Sequence, residues 1–459
     1  MGRNPVPMDY AEATAYIESF INYESYVPRT YDERTYGLDR MARLLSALGE
    51  PHRELVCIHV AGTNGKGSVC AMAESVLRVS GLRTGLFTSP HLIEPRERIR
   101  LDGVAVSPEQ FAAQVACIRQ AVDALPGEAA PTFFELYTAL ALRLFWQQKV
   151  DVAVVEVGMG GRLDSTNVLS PAVSVITSVG LDHAAHLGGT LPQVAREKAG
   201  IIKTGVPVVC GISANDPAAQ PALEVIRGVS TRCGSELWLR DAEFGGTRRP
   251  AGGVDLWVGP RRFDTPVLGL AGTFQAANAA TAVASLVRLE DSRAVRVPGW
   301  RLRGSDVSAG LTSVQWPGRF QVVRPPGWPV VVLDGAMNAE AASALRQALE
   351  DRFPGRRIVF VIAMSADKQP VEFARALFPG LARALIVTRA QTPRAMPVED
   401  LREAVLCVLG PGVAVGAAST VVEALDAARQ ASGDDGVVCL TGSLYLVGEA
   451  LACLDGLEG

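Results

Sequence analysis

The chain has eight cysteines in 459 residues but no Cys-x-x-Cys pair. That absence argues against a zinc ribbon and against a dithiol redox centre. Cys57 and Cys210 lie in apolar runs, Val56-Cys57-Ile58 and Val208-Val209-Cys210, so the sequence predicts small buried thiols in a reducing compartment. No apolar run reaches the 18 residues a membrane helix needs. The start, Met1-Gly2-Arg3-Asn4-Pro5, continues into polar sequence without an apolar signal core, which predicts a cytoplasmic location. There is no surplus of positive charge: the formal net charge is -4. A broad nucleic-acid or membrane-surface binder is therefore not expected, and any anionic ligand must meet a local positive site. Internal repeats and low-complexity segments are also lacking. What remains is 48% hydrophobic and 20% charged, enough to bury cores in two or three domains.

The most informative stretch is Val60-Ala61-Gly62-Thr63-Asn64-Gly65-Lys66-Gly67-Ser68-Val69. The apolar run 55–60 before it predicts a buried strand. Val69, Met72, Val76 and Leu77 after it recur at helical spacing. Strand, glycine-rich turn, lysine, hydroxyl and helix form the layout of a phosphate cradle, in which backbone N–H groups and a helix N-terminus face an anion. Lys66 would neutralise the β- and γ-phosphates, and Ser68 could hold Mg²⁺. The common G-x-x-x-x-G-K-[ST] pattern is not met. Val60 occupies its first glycine position, and Gly67 separates Lys66 from Ser68. A glycine-rich turn without a ligand is the plain alternative.

Around this motif, apolar runs at 57–60, 84–88, 152–157 and 173–178 alternate with helical patterns at 108–125, 134–148 and 191–198. Such alternation predicts a parallel sheet covered on both faces. Helical spacing is also present over 9–25, 35–48 and 275–289. Residues 234–268 predict antiparallel hairpins added to the edge of the first domain. Glycines and prolines between 298 and 318 suggest the junction, giving domains of 1–314 and 315–459. Beyond it, strands at 330–333, 357–362, 384–388, 413–415 and 436–441 alternate with helices at 339–351, 370–377, 398–409 and 421–430, a second, smaller α/β domain. Glu156 ends the run Val152-Ala153-Val154-Val155, and His183 follows the strand at 173–178. Both would stand at the ligand edge of a parallel sheet. His183-x-x-His186 alone is too small a set to define a metal site.

The turn G-T-N-G-K-G-S resembles the phosphate loop of the Mur ligase superfamily, specifically its folylpolyglutamate synthase/dihydrofolate synthase branch. Further blocks of that branch follow in order: Thr88-Ser89-Pro90-His91-Leu92, Phe133-Phe134-Glu135, Glu156 to Asp164, Gly180-Leu181-Asp182-His183 and Arg196-Glu197-Lys198-Ala199-Gly200-Ile201. Trp316-Pro317-Gly318-Arg319, Leu333-Asp334-Gly335-Ala336 and Thr441-Gly442-Ser443-Leu444-Tyr445 complete the series, so the resemblance extends from about Gly37 to Gly448. It implies a Mur-ligase-like fold: an N-terminal ATP-binding, acceptor-holding α/β domain and a Rossmann-like C-terminal glutamate-ligase domain. It implies ATP-dependent ligation of L-glutamate to dihydropteroate or reduced folates through an acyl phosphate, with ATP as co-substrate and two Mg²⁺ sites. The implied partners are small molecules, and a monomer is expected.

Residue by residue, the resemblance assigns Asn64, Gly65, Lys66, Gly67 and Ser68, with Asn278, Arg319 and Asp334, to ATP. Ser68, Ser89, Glu156 and His183 are its metal positions. Gly37, Leu38, Ser89, Thr132, Phe133, Phe134, Glu135, Leu163, Asp164 and Ser165 match the segments around the pterin-bearing substrate, although two phenylalanines at a helix start are equally good core. Lys66, His183 and Lys198 carry the chemistry. Lys198 would be carbamylated by CO₂, converting a cation into an anion that supports the second Mg²⁺, where the plain expectation is a surface ion pair. Asp367-Lys368 and Ser443 are candidates for glutamate contacts. The chain departs from the family twice: Met337 and Phe274 stand where the family usually has histidines, and neither can donate a hydrogen bond. Two alternatives therefore stay open, a Mur-type amide ligase with another acceptor and a nucleotide-binding paralogue without ligase activity.

Overall fold

A computed structural model describes residues 6–25, 31–125, 130–182, 187–249, 253–410, 412–433 and 436–455. His183 and His186 lie outside the described residues. The chain divides into two compact units, Met1–Gly269 with Ala276–Val314, and Leu270–Gln275 with Gln315–Gly459.

In the first unit the helices are α1 (Tyr10–Glu18), α2 (Glu33–Tyr36), α3 (Leu38–Ala47), α4 (Lys66–Val79), α5 (Pro108–Asp123), α6 (Phe133–Gln147), α7 (Leu191–Ala199), α8 (Gln220–Arg232), α9 (Gln275–Ser292, entering from the second unit) and α10 (Gly304–Ser313). Its strands are β1 (Cys57–Ala61), β2 (Thr84–Phe87), β3 (Ile99–Leu101), β4 (Val104–Ala105), β5 (Val152–Glu156), β6 (Val173–Ile176), β7 (Val208–Ser213), β8 (Leu237–Arg240), β9 (Phe244–Arg248), β10 (Val254–Val258) and β11 (Arg261–Thr265). They form one sheet in the order β11-β10-β9-β8-β7-β6-β1-β5-β2-β3-β4. The centre, β7-β6-β1-β5-β2, is parallel. Its strands are largely apolar and, apart from Ser213 at the end of β7, buried along their length, as a sheet covered on both faces requires. The additions at the far edge are only partly hairpins: β8 continues the parallel order on β7, while β9, β10 and β11 pair antiparallel.

Local chemistry starts the helices. Ser107 caps α5, accepting from Gln110 N at 3.2 Å while Gln110 accepts from Ser107 N at 3.0 Å. Thr132 and Glu135 form the same reciprocal box on α6, satisfying backbone donors that a helix start leaves open. The helical spacing over 9–25 is realised only to Glu18. Beyond it Asn22 accepts from Glu24 N at 2.8 Å, a side-chain turn that competes with the helix. Residues 304–313, within the expected junction, are helix α10, packed on α4 so closely that a Cβ on Gly310 would lie 2.5 Å from Val76 Cα. One core, built by α1, α3, α5 and α6 against the sheet, contains Leu44, Phe111, Leu140 and Phe145.

The second unit comprises β12 (Gln321–Val323), β13 (Val330–Leu333), β14 (Ile358–Ile362), β15 (Ala382–Val387), β16 (Ala414–Ala417) and β17 (Val437–Thr441), with α11 (Ala339–Arg352), α12 (Pro370–Leu377), α13 (Val398–Leu406), α14 (Val421–Ser432) and α15 (Leu444–Asp455). Sheet order is β12-β13-β17-β14-β15-β16, parallel except for β12. Its core includes Leu345, Phe360, Phe373 and Leu385. Among the described residues no helix is long and apolar enough to cross a membrane.

Candidate active site

The strand order decides what can meet. β6, β1, β5 and β2 are adjacent and parallel, so their C-terminal ends lie along one edge, the ligand edge of such sheets. Ser178, the glycine-rich turn, Glu156 and Ser89 follow or end these strands in that order. Sequence motifs far apart in the chain are thus neighbours by topology.

The turn leaves β1 and enters α4 through Gly65, whose φ of 84° is left-handed. Gly62 also has positive φ, 153°, and a Cβ there would collide with Thr177. Both positions need glycine. The loop is pinned from β6: Asn64 N donates to Ser178 Oγ at 2.9 Å, Thr177 Oγ1 donates to Asn64 O at 2.7 Å, and Thr63 N donates to Ser178 O at 3.0 Å. Thr177 and Ser178 were not among the expected site residues; a hydroxyl pair at the exit of a buried strand was the available signal. Lys66 Nζ donates to the carbonyls of Gly62 and Thr63 at 3.1 and 3.4 Å, so the ammonium folds back over the turn. Gly67 and Ser68 are buried in the first turn of α4. On α9, Asn278 lies against Gly65, its Oδ1 2.6 Å from where a Cβ would stand.

Glu156 is the last residue of β5 and only 4% exposed. Its Oε2 accepts from Ser89 N at 3.1 Å, which ties the Ser89 turn to the carboxylate. Ser68, Ser89 and Glu156 are all oxygen donors, the kind Mg²⁺ takes. Among the described residues no group of three or more His, Cys, Asp or Glu forms a metal cage.

The segments expected around the acceptor also converge. Gly37 caps α3 and Leu38 is its first residue. Arg40, one turn on, pairs with Glu135 at 3.1 Å and donates to Thr35 O at 2.8 Å. Glu135 in turn accepts from Thr132 N at 2.7 Å. The two phenylalanines separate: Phe133 is buried against Tyr137 at 4.8 Å, whereas half-buried Phe134 lies over Gly158, its ring 2.6 Å from a would-be Cβ. Leu163, Asp164 and Ser165 are buried. Burial pushes the Asp164 carboxyl up, while hydrogen bonds from Thr166, Met159 and Gly158 oppose the shift. Ser165 Oγ is 2.7 Å from Thr138 Oγ1 on α6. Arg40 escaped the sequence reading because an arginine one turn into an amphipathic helix looks like an ordinary solvated charge.

Lys198 is in the last turn of α7 and 4% exposed. The plain expectation of a surface ion pair is therefore not what the fold builds. The end of α7 is packed by the loop 160–162, where Arg162 N donates to Glu197 O at 2.8 Å and the Arg162 guanidinium pairs with Glu197 at 3.1 Å.

In the second unit, Asp334 follows β13, with its carboxylate accepting from Phe320 N at 2.8 Å and Ala336 N at 2.9 Å. Burial raises its pKa and nearby Arg319 opposes the rise. Arg319 lies against Gly335. Met337 is half-buried two residues before α11, and Phe274 packs onto the apolar core of this unit. Asp367 pairs with Arg394 at 2.5 Å and with Lys368 at 3.7 Å. Ser443 is buried just before α15 and accepts from Tyr445 N at 3.2 Å.

Residues 60–286 match the Mur ligase middle domain, and residues 318–444 match the Mur ligase, glutamate ligase domain. A Bacillus subtilis dihydrofolate synthase/folylpolyglutamate synthase is 35% identical over 90% of this chain and 94% of its own length. The chain belongs to the folylpolyglutamate synthase/dihydrofolate synthase family of Mur ligases. It is also 35% identical to a Haloferax volcanii probable bifunctional folylpolyglutamate synthase/dihydropteroate synthase, matching 94% of this chain but only 50% of that longer relative. The solved Mycobacterium tuberculosis folylpolyglutamate synthase complexed with ADP superposes with a TM-score of 0.86 at 32% identity, covering 97% of this chain and 98% of that one. The bifunctional Yersinia pestis synthase complexed with AMPPNP and Mn ion gives 0.82 at 30% identity, covering 99% and 100%. Members of this family are ATP-dependent amide ligases, and the mixed parallel sheets described above are their fold.

Proposed function

We propose that this chain ligates L-glutamate to dihydropteroate and to reduced folates, using ATP and a divalent metal. The observation that carries the reading is the Ser89 N to Glu156 Oε2 hydrogen bond at 3.1 Å, on the same sheet edge as the glycine-rich turn. It joins a segment assigned to the acceptor to the carboxylate assigned to the metal.

A carboxylate resists attack by an amine because its oxygen leaves poorly. Phosphorylation by ATP forms a bond from acceptor oxygen to the γ-phosphorus and releases ADP. The α-amine of glutamate then adds to the acyl carbon, and phosphate departs as the amide forms. The chain's part is to bind and place. Backbone N–H groups of the turn and Lys66 hold the phosphates and spread their charge. Ser68, Ser89, Glu156 and His183 are assigned to Mg²⁺, which when bound supplies charge neutralisation for the transferring phosphoryl group. Asn278, Arg319 and Asp334 are assigned to the nucleotide on the family resemblance. The segments at Gly37-Leu38, Thr132–Glu135 and Leu163–Ser165 hold the acceptor, with Phe134 as the ring available for the pterin. Water must be kept from the acyl phosphate, which it would hydrolyse.

Lys198 is assigned to a carbamate that supports a second Mg²⁺. Its burial at 4% exposure sets it apart from a solvated surface lysine, since a buried charge must be paired, neutralised or modified. A plain amine in electron density at saturating bicarbonate would remove it. The ligase itself is tested by incubating the protein with ATP, Mg²⁺, L-glutamate and either dihydropteroate or tetrahydrofolate, then weighing the products. Glutamylated product from both acceptors is expected. ATP binding without product from either would identify a non-ligating paralogue.

A further inference from the structure

Arg98 is 1% exposed. Burying a guanidinium is unfavourable unless its donors are met. Nη1 donates to Glu24 Oε1 at 2.8 Å, Nη2 to Glu24 Oε2 at 2.6 Å, and Nε to His91 Nδ1 at 2.9 Å. Its central carbon is 5.3 Å from the Phe133 ring centroid and 5.0 Å from that of Tyr137, within cation–π range.

The backbone completes the arrangement. Thr88 N donates to Arg98 O at 3.0 Å. Arg98 therefore grips the Ser89-Pro90 turn on both sides, Thr88 through its carbonyl and His91 through its guanidinium. Between those grips, Ser89 N reaches Glu156. At the far end, Glu24 is in the turn held by Asn22, and Ile21 O accepts from Phe133 N at 2.9 Å. Three segments separated in sequence, 21–25, 88–91 and the start of α6, are joined by one side chain. A buried ion pair adds little net stability over apolar packing, but it fixes register.

We propose that Arg98 is a positioning residue for the acceptor: it holds the Ser89 turn and the Phe133 helix start in register and fixes His91 as the tautomer protonated at Nε2. The tautomer follows because Nδ1 accepts from Arg98 and so carries no hydrogen. The inference rests on the ligase reading above, and it adds Arg98, His91 and Glu24 to the residues on which acceptor affinity depends.

The test compares wild type with Arg98→Met, Arg98→Lys and Glu24→Gln. KM is measured for acceptor and for ATP separately, and the ring nitrogens of His91 are followed by NMR at one pH. The expected result is an acceptor KM raised about tenfold or more in Arg98→Met, with the ATP KM unchanged. Arg98→Lys should recover part of the loss, and the His91 ring should leave its single Nε2–H form in the Met variant. An unchanged acceptor KM with a lowered melting temperature would overturn the proposal, as would an Nδ1–H ring in wild type. Should Arg98→Met not fold, Glu24→Gln carries the test, because its side chain is 25% exposed and keeps its shape; an acceptor KM equal to wild type would then overturn it. Calorimetry of acceptor binding without ATP keeps the two readings apart. A wild type that binds acceptor but does not ligate removes the ligase reading alone, and acceptor affinity identical in all variants removes the positioning role alone.

Discussion

Gly65 and Asn278 meet where the glycine-rich turn enters α4: a Cβ on Gly65 would lie 2.6 Å from the Asn278 amide oxygen. The turn is therefore confined from the α9 side as well as from β6. Gly65→Ala would suffer twice, from the side-chain overlap and from a φ of 84°, since the left-handed region costs a residue with a Cβ about 1–2 kcal/mol. The expected outcome is a loss of about tenfold in ATP affinity, measured by calorimetry with Mg²⁺ present. Wild-type affinity in the single variant would show that the turn does not contact nucleotide.

Lys66 begins α4 and bends back to two carbonyls of its own turn. Removing its ammonium deletes the charge assigned to the phosphates while leaving the helix and the β6 contacts in place. Lys66→Ala should lower kcat by about 10²–10³-fold with little change in melting temperature. Lys66→Arg should also be poor, because a planar guanidinium does not reproduce a compact ammonium inside a tight turn. Full turnover in Lys66→Ala would remove the phosphate-cradle assignment.

Phe133 and Phe134 give a matched pair. Phe133 is buried among Tyr137 and the Arg98 guanidinium, so Phe133→Ala should destabilise the protein by about 3–5 kcal/mol. Phe134 is half-buried over Gly158 and 5.9 Å from Phe87. Phe134→Ala should cost less stability and raise the acceptor KM. Denaturant unfolding beside steady-state kinetics separates the two. Equal stability losses with equal acceptor KM values would deny Phe134 a substrate role.

These relationships show which parts of the molecule were legible in sequence. The strand–turn–helix at Gly62–Ser68 was readable because a glycine pattern and a change of hydrophobic period coincide there. Glu156 was readable because a carboxylate closing a run of valines marks the point where a buried strand reaches the sheet edge. Arg98, Arg40 and the Thr177-Ser178 pair were not. Their importance comes from long-range pairing with Glu24, Glu135 and Asn64, and nothing local distinguishes a buried arginine from a solvated one. Helix α10 was hidden for a related reason: its glycines read as linker, while in the fold Gly310 permits the close approach to α4. The early end of α1 was hidden by a side-chain turn at Asn22 that hydrophobic spacing does not register.

His59 yields a prediction about acid stability. It sits at 0% exposure in the middle of β1. Its Nε2 is 2.8 Å from Thr166 Oγ1, and that hydroxyl donates to Asp164 Oδ1 at 2.5 Å, so Nε2 carries the ring hydrogen. Burial, with Lys203 adding to it, holds the His59 pKa down at about 3, against an ordinary value of 6.5. The native ring is thus neutral where the unfolded ring becomes charged. Below pH 6.5 the unfolded chain binds the extra proton, so this residue's contribution to stability is intact above 6.5 and declines as pH falls toward 3. The slope approaches about 1.4 kcal/mol per pH unit at most. His52 and His91 are also lowered, by burial and by burial with Arg98 respectively, so the wild-type acid limb is a sum. His59→Asn removes one term of it. Unfolding free energies measured from pH 7 to 4.5 should show a variant that is less stable at neutral pH but falls less steeply with acid. Parallel curves would mean that His59 does not remain neutral in the fold.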